Sequence, residues 1–266
     1  MINEKYIKSI DDIAELITNQ KYDERVQRNR SSLLYRGIPN VEYKLQTSLQ
    51  RNCKCKEIEL EKSILRNFSK YAEIEDPQLK KSIWRQMIIG QHHGLPTRLL
   101  DWTYSPLIGL HFATSGEDLD NMKKHDSVLW EIDIEEINKL LPKEYQDNLN
   151  ENGAYLFTID MLAKLETDIK KYDNKMKADS MVLIEPPSID QRIINQYSYF
   201  SIIPIDMKDI EEFLDIKTKN TVKYIIDKDL RWRIRDMLDQ MNINERIVYP
   251  GLDGLSSWLK RHYYVK

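Results

Sequence analysis

The chain has 266 residues, with 40 Lys and Arg against 43 Asp and Glu, a formal charge of -3 and 41% hydrophobic content. That mixture is globular, and its near-neutral balance gives no global electrostatic drive toward nucleic acid. No run approaches the ~18 apolar residues of a membrane span, the N-terminal residues lack a signal-peptide core, and Cys53 and Cys55 make no disulfide framework, so a cytoplasmic protein with no membrane partner is expected.

Ser9 is a fair N-cap, and Ile10, Ile13, Leu16 and Ile17 after it make the apolar stripe of a first helix. Residues 32–37 read as a short strand that delivers Arg36 at its end, stopped by Gly37 and Pro39. Residues 57–72 are helical, with Ile58, Leu60, Ile64, Leu65 and Phe68 as the expected buried face. A second helix over 78–93 carries Leu79, Ile83, Met87 and Trp84, and stops at Gly94 and Pro96.

A constrained loop then carries Arg98 and Asp101, and Thr103 or Ser105 caps a helix that opens on Pro106. Residues 127–134 alternate like a strand, whereas the elements of 135–180 are not placed by local signals. MVLIEP (181–186) reads as a strand, and residues 192–204 lead into another. A helix at about 207–215, a strand at 221–227, a helix at 229–241 and a terminal amphipathic helix from about 252 complete the order. Strands and helices without a βαβ rhythm predict an α+β fold: a single domain with a mixed or antiparallel sheet packed by helices.

Glycine is scarce, at 8 residues, and neither G-x-G-x-x-G nor G-x-x-x-x-G-K-[ST] occurs. Rossmann and P-loop phosphate sites both need glycines for close backbone approach, so phosphate recognition here has to rest on arginine and on helix N-termini. The densest polar cluster runs from Gln91 to Ser105 and holds His92, His93, Arg98, Asp101, Trp102 and Thr103. Its bland alternative is structural: histidines complement a helix C-terminus, Arg98 pairs with Asp101, and Thr103 and Ser105 cap. Arg36 either holds a phosphate or ribose through its fork of donors or makes a strand-end ion pair. Gly37 beside it allows close ligand approach or serves a turn. Cys53 and Cys55 with His92 and His93 offer a weak zinc set, and no metal is expected. Glu131, Asp133 and Glu185 lie on or beside strands, where an inward carboxylate can do electrostatic or acid–base work.

Leu34-Tyr35-Arg36-Gly37, the block Gln91–Ser105 running into Pro106-Leu107 and Phe112-Ala113, Arg192-Ile193 with Gln196 and Phe200, and Tyr249–Leu255 together resemble the bacterial FRG domain family, named for its aromatic-Arg-Gly motif. The resemblance spans about residues 30–260 and implies an N-terminal helical segment over 1–29 followed by one FRG-like domain over 30–266. It also implies a setting in bacterial defence or toxin-like systems. A more distant likeness is to mono-ADP-ribosyltransferases, which place an arginine on a first strand, a Ser/Thr-x-Ser/Thr strand end before a helix, and a Gln/Glu-x-Glu.

That second likeness implies an ADP-ribosyltransferase-like fold and NAD as the substrate. It assigns Tyr35, Arg36 and Gly37 to the phosphate or ribose, Thr103 or Ser105 to the nicotinamide ribose, and Trp102 or Tyr104 to stacking, with Arg98 as a further contact. Gln196 leads the third element, but Ser198 stands where the transferase has glutamate. In the FRG family that position is commonly glycine, and the one at Tyr197 commonly glutamine. Nicotinamide release builds oxocarbenium-like charge that a carboxylate stabilises, so either another group such as Asp101, Glu131 or Glu185 stands in or the activity is lost. Three readings follow: an NAD-utilising ADP-ribosyltransferase-like enzyme (transferase or NAD glycohydrolase), a non-catalytic nucleotide-binding or regulatory module, or a hydrolase or nuclease centred on His92, His93 and Asp101.

Overall fold

The computed structural model describes residues 2–18, 20–24, 26–116, 119–188 and 190–265. The strands are β1 (Asn3–Ile7), β2 (Lys21–Asp23), β3 (Arg28–Arg30), β4 (Leu33–Ile38), β5 (Leu99–Thr103), β6 (Ser127–Asp133), β7 (Val182–Ile184), β8 (Ser198–Ile202) and β9 (Val222–Ile226). The helices are α1 (Ile10–Thr18), α2 (Ser48–Cys53), α3 (Glu57–Ala72), α4 (Ile83–His92), α5 (Pro106–Thr114), α6 (Ile134–Lys139) and α7 (Lys143–Glu151). They continue with α8 (Ile159–Leu165), α9 (Ile169–Met176), α10 (Gln191–Gln196), α11 (Ile210–Lys217), α12 (Arg231–Gln240), α13 (Glu245–Val248) and α14 (Leu252–His262).

Local chemistry explains the elements that frame the centre of the molecule. Ser9 and Asp12 cap α1 reciprocally, Asp12 N to Ser9 Oγ at 3.3 Å and Ser9 N to Asp12 Oδ2 at 2.9 Å. Ser82 caps α4, which ends at Gly94 in the left-handed region, φ +82°. Ser105 caps α5 through Ile108 N, and Pro106 takes the first helical position.

Among the described residues, seven strands form one sheet in the order β1-β9-β6-β4-β5-β8-β7. Only the β1–β9 pair is parallel within it; the other neighbours run antiparallel, as an α+β fold requires. The segment 1–29, expected to be helical, also contains β1, β2 and most of β3, which pairs with β2 and ends at Arg30. β1 is an edge strand with four of its five residues exposed, so it shows no alternation to read.

Strand alternation sorts the core onto two faces. Leu34 and Ile38 of β4, Leu100 and Trp102 of β5, and Val128, Trp130 and Ile132 of β6 pack against α6 and α11 on one face. The opposite face is divided. Its β9–β6–β4 half packs under α1, α5 and α12, and its β5–β8–β7 half packs under α3, α4 and α7–α9. Alternation predicts a half-buried β6, but all its residues are buried because it lies inside the sheet with both faces covered.

Two more expectations change. α3 does not bury Ile58 and Leu60, which are 61% and 40% exposed; its inner stripe is Glu57, Glu61, Leu65 and Ser69. The helix is turned so that Glu61 meets a buried arginine. Residues 99–103 form a strand, so Asp101 sits on a sheet and not in a loop.

Candidate functional site

β4 and β5 part almost as soon as they meet. β4 pairs six residues with β6 and β5 pairs five with β8, yet β4 and β5 share the single pair Tyr35↔Thr103 among the described residues. Beyond that pair the ladder is open over Arg36 to Ile38, and backbone groups there need other partners. Arg36 supplies one: its Nη1 donates to Asp101 O at 2.7 Å and lies 3.5 Å from Asp101 Oδ2.

The split is the floor of a cleft of about 250 Å³ lined by Arg36, Gln91, Asp101, Phe112, Arg192, Gln196 and Ser198, with Tyr35, Gly37, Trp102 and Thr103 along the strands. It lies where the helices over the two halves of the sheet leave a gap, α4 giving Gln91 on one side and α5 giving Phe112 on the other. Arg36 Nε is buried without a partner, an unused donor in the wall. Burial pulls the Arg36 guanidinium down and the Asp101 carboxylate pushes it back up; an arginine stays charged under both. Gln91 Nε2 donates to Asp101 Oδ2 at 2.9 Å, while its Oε1 accepts from Thr97 Oγ1 at 2.7 Å. Asp101 is thus oriented by two donors and still lines the cavity.

The third wall comes from α10 and the turn after it. α10 stops on Tyr197 in the left-handed region, φ 48°, a conformation that is costly for a side-chain-bearing residue. That turn presents Gln196 and Ser198 to the cleft. Thr103 Oγ1 donates to Gln196 O at 2.7 Å and accepts from Ser105 N at 3.2 Å, tying the end of β5 to α10. Gln196 Nε2 donates to Val248 O at 3.1 Å.

Arg36, Asp101, Thr103 and Gln196, nominated from distant parts of the sequence, therefore share one cavity with Tyr35, Gly37 and Trp102 at its margins. Several assigned roles do not survive the geometry. Arg98 is buried away from the cleft and held by Glu61 through Nε at 2.6 Å and through Nη2, and by Asp173 through Nη1. Burial opposes its charge, but the two carboxylates hold it above the ordinary arginine range. It does not pair with Asp101, nor does it reach a ligand.

The Trp102 ring belongs to the opposite face, where Nε1 donates to Ser201 Oγ at 2.9 Å, so it cannot stack on a ligand in the cleft. Tyr104 donates its hydroxyl to Ser31 O at 2.6 Å. Ser105 caps α5 and is not among the lining residues. Tyr35 turns its ring into the core beside Glu131, where burial first and that carboxylate second raise its phenol. Gly37 is dictated by packing and not by a ligand: a Cβ there would stand 2.1 Å from Gly109 O and 2.2 Å from Ala113 N of α5.

The histidines part company. His92 contacts Asp190 through Nε2 and lines a neighbouring recess of about 580 Å³ with Arg192, Tyr249 and Asp253. Burial lowers its pKa, and Asp190 acts the other way. His93 is exposed and meets His92 edge-on. Neither lines the cleft that holds Asp101. No group of three or more metal-ligating side chains forms among the described residues, with Cys53 and Cys55 or without them. Of the substitute carboxylates, only Asp101 lines the cleft; Glu131 is buried beside Tyr224, and Glu185 follows β7. No described helix is long and apolar enough to cross a membrane.

Reasoning from sequence passed over Gln91, Phe112 and Arg192 as site residues. Arg192 lines both the cleft and the recess, with its guanidinium 5.2 Å from the Tyr249 ring centroid. The Gln91–Ser105 block, Phe112-Ala113 and the Arg192–Gln196 pair were the available signals for these residues. No curated protein and no solved structure matches the chain. The model of one family, the FRG domain, matches residues 31–122, a span that holds Arg36, Gln91 and Asp101 and stops short of Arg192 and Gln196. On the strength of that match, residues 31–122 are identified as an FRG domain.

Proposed function

We propose that the cleft at the β4–β5 split binds NAD as a substrate and that the protein is ADP-ribosyltransferase-like, transferring ADP-ribose to a target or to water. The observation that carries this reading is the convergence of Arg36, Asp101 and Gln196, from three separate segments, on one cavity. Arg36 has an unused buried donor to offer a phosphate or ribose oxygen. The cleft alone accommodates a nicotinamide riboside-sized group, and the adjoining recess, shared through Arg192, extends the space toward dinucleotide dimensions.

In the reaction, the bond between ribose C1′ and the nicotinamide nitrogen breaks. Its electron pair leaves with nicotinamide, which departs neutral, and the ribose carries the oxocarbenium charge. Asp101, held by Gln91, is the carboxylate placed to stabilise that charge, in the role Ser198 cannot fill. Water or a target nucleophile then attacks C1′ and loses a proton.

A second reading is favoured by Asp101 being shared with Arg36 and by the Gln196 amide being committed to Val248 O: a module that binds a nucleotide without turning it over. Thermal melts separate the cases. NAD is expected to raise the melting temperature of the wild-type chain and not that of Arg36→Ala, because a ligand of the folded state stabilises it. Stabilisation without nicotinamide release selects the binding module, and no stabilisation by NAD or by a nucleotide panel refutes both.

A further inference from the structure

A larger cavity, about 840 Å³, lies beyond the C-terminal end of α5, walled by His111, Arg231, Tyr249, Ser257, Lys260 and the residues after β4. It shares no lining residue with the Arg36 cleft. The Tyr249 ring stands between them, 6.3 Å from Phe112 on the cleft side and 6.2 Å from His111 on the cavity side.

The charges in this wall are unequally matched. Arg261 is neutralised by Asp239 and Glu245, and Arg235 by Glu245. Arg231 is only 4% exposed and has two carbonyl partners, His125 O and Ser115 O, each at 3.2 Å; its Nε is buried without a partner, and it forms no ion pair among the described residues. Burial works against the Arg231 charge and Asp126, with which it makes no ion pair, offsets this only in part, so an anion entering from the cavity adds a direct counter-charge.

His111 is fully buried, with Nδ1 2.9 Å from Arg235 Nη1. Arginine can only donate, so Nδ1 accepts and the neutral ring carries its proton on Nε2. That N–H also lacks a partner. Exposed Lys260 adds a cation at the rim.

We propose that this cavity is a second ligand site, for a small molecule bearing a phosphate or pyrophosphate group. Two unpartnered N–H donors, with Arg231 and Lys260 forming no ion pair among the described residues, suit an anion with several acceptor oxygens even though Glu245 also lines the wall, and the volume admits a mononucleotide. None of its residues belongs to the Arg36 cleft, although Tyr249 and Ser257 also line the recess beside that cleft, so Arg36→Ala is the variant that separates this site from the NAD reading.

Calorimetric titration of the full chain with inorganic pyrophosphate and with ADP tests it. Saturable binding of at least one probe is expected. Its Kd should weaken about tenfold or more in Lys260→Glu, a rim substitution that leaves the buried network intact, and should be unchanged in Arg36→Ala. Arg231→Gln should abolish the binding if that variant folds, and Lys260→Glu decides the matter if it does not. Pyrophosphate binding as tightly as ADP assigns the site to the phosphate group alone, and tighter ADP assigns it to a nucleotide. Absence of saturable binding by both probes, an equal Kd in wild type and Lys260→Glu, or loss of binding in Arg36→Ala would overturn the proposal.

Discussion

Arg98 links β5 to α3 and α9 through Glu61 and Asp173, and Asp173 Oδ1 also accepts from Ile205 N at 3.0 Å. Its removal leaves two buried carboxylates without their counter-charge. Arg98→Ala is therefore expected to lose about 3–5 kcal/mol in a urea titration. Retention of wild-type stability would contradict the buried triad. His111 gives a pH prediction. Burial first, and Arg235 second, lower its pKa from 6.5 to about 3. In that interval the unfolded chain takes up a proton that the folded chain refuses. Stability is therefore lost as pH falls through the window, by up to about 1.4 kcal/mol per pH unit from this group. His111→Asn keeps an acceptor for Arg235 without a titrating ring, and its stability should fall less steeply than that of wild type between about pH 6 and 4. Parallel slopes would remove His111 from the acid response. Neither role is legible in the sequence: the partners of Arg98 lie 37 and 75 residues away, and that of His111 lies 124 away, so a buried charged residue looks locally like an exposed one.

α5 lies on β4 with backbone against backbone, which Gly37 permits. Gly37→Ala would press a methyl onto Gly109 O and Ala113 N, main-chain atoms that cannot swing aside. A loss of about 3 kcal/mol or more, or failure to fold, is expected. Gly94 offers the contrast. It has φ +82°, and a methyl group placed on it would meet nothing within 4 Å, so Gly94→Ala should cost only about 1 kcal/mol of left-handed backbone strain. Equal losses in denaturation of the two variants would contradict this division between a packing glycine and a conformational one. The elements around them were readable because each carries a local signal: the caps Ser9 and Ser105, Pro106, Gly94, and the apolar runs of β4 and β9. β1, the β2–β3 hairpin and α2 were not. β1 is mostly exposed, β2 and β3 have three residues each, and the Thr47–Gln50 capping box of α2 precedes a helix with a single buried residue, Leu49.

One sheet carries the entire arrangement. Its continuous face and its divided face share every central strand, and α5 and α4 stand on either side of the division where the cleft opens. Because the core groups share strands, chemical unfolding should appear as one transition, coincident by far-ultraviolet circular dichroism and tryptophan fluorescence. Two separated transitions would show that the halves of the divided face unfold independently. The candidate site was legible where one strand or turn projects a residue into the split, as for Arg36, Asp101, Thr103 and Gln196. It was illegible where burial or alternation decided the outcome. Trp102 follows Asp101 directly, so it points to the other face, and His93 sits past the end of α4. The most direct test of the central claim is nicotinamide release from NAD by the wild-type chain and by Asp101→Asn. Release by the wild type, falling about a hundredfold or more in Asp101→Asn, is the predicted result. Release that is undiminished in Asp101→Asn would contradict the carboxylate's role, and no release by the wild type would contradict the enzyme.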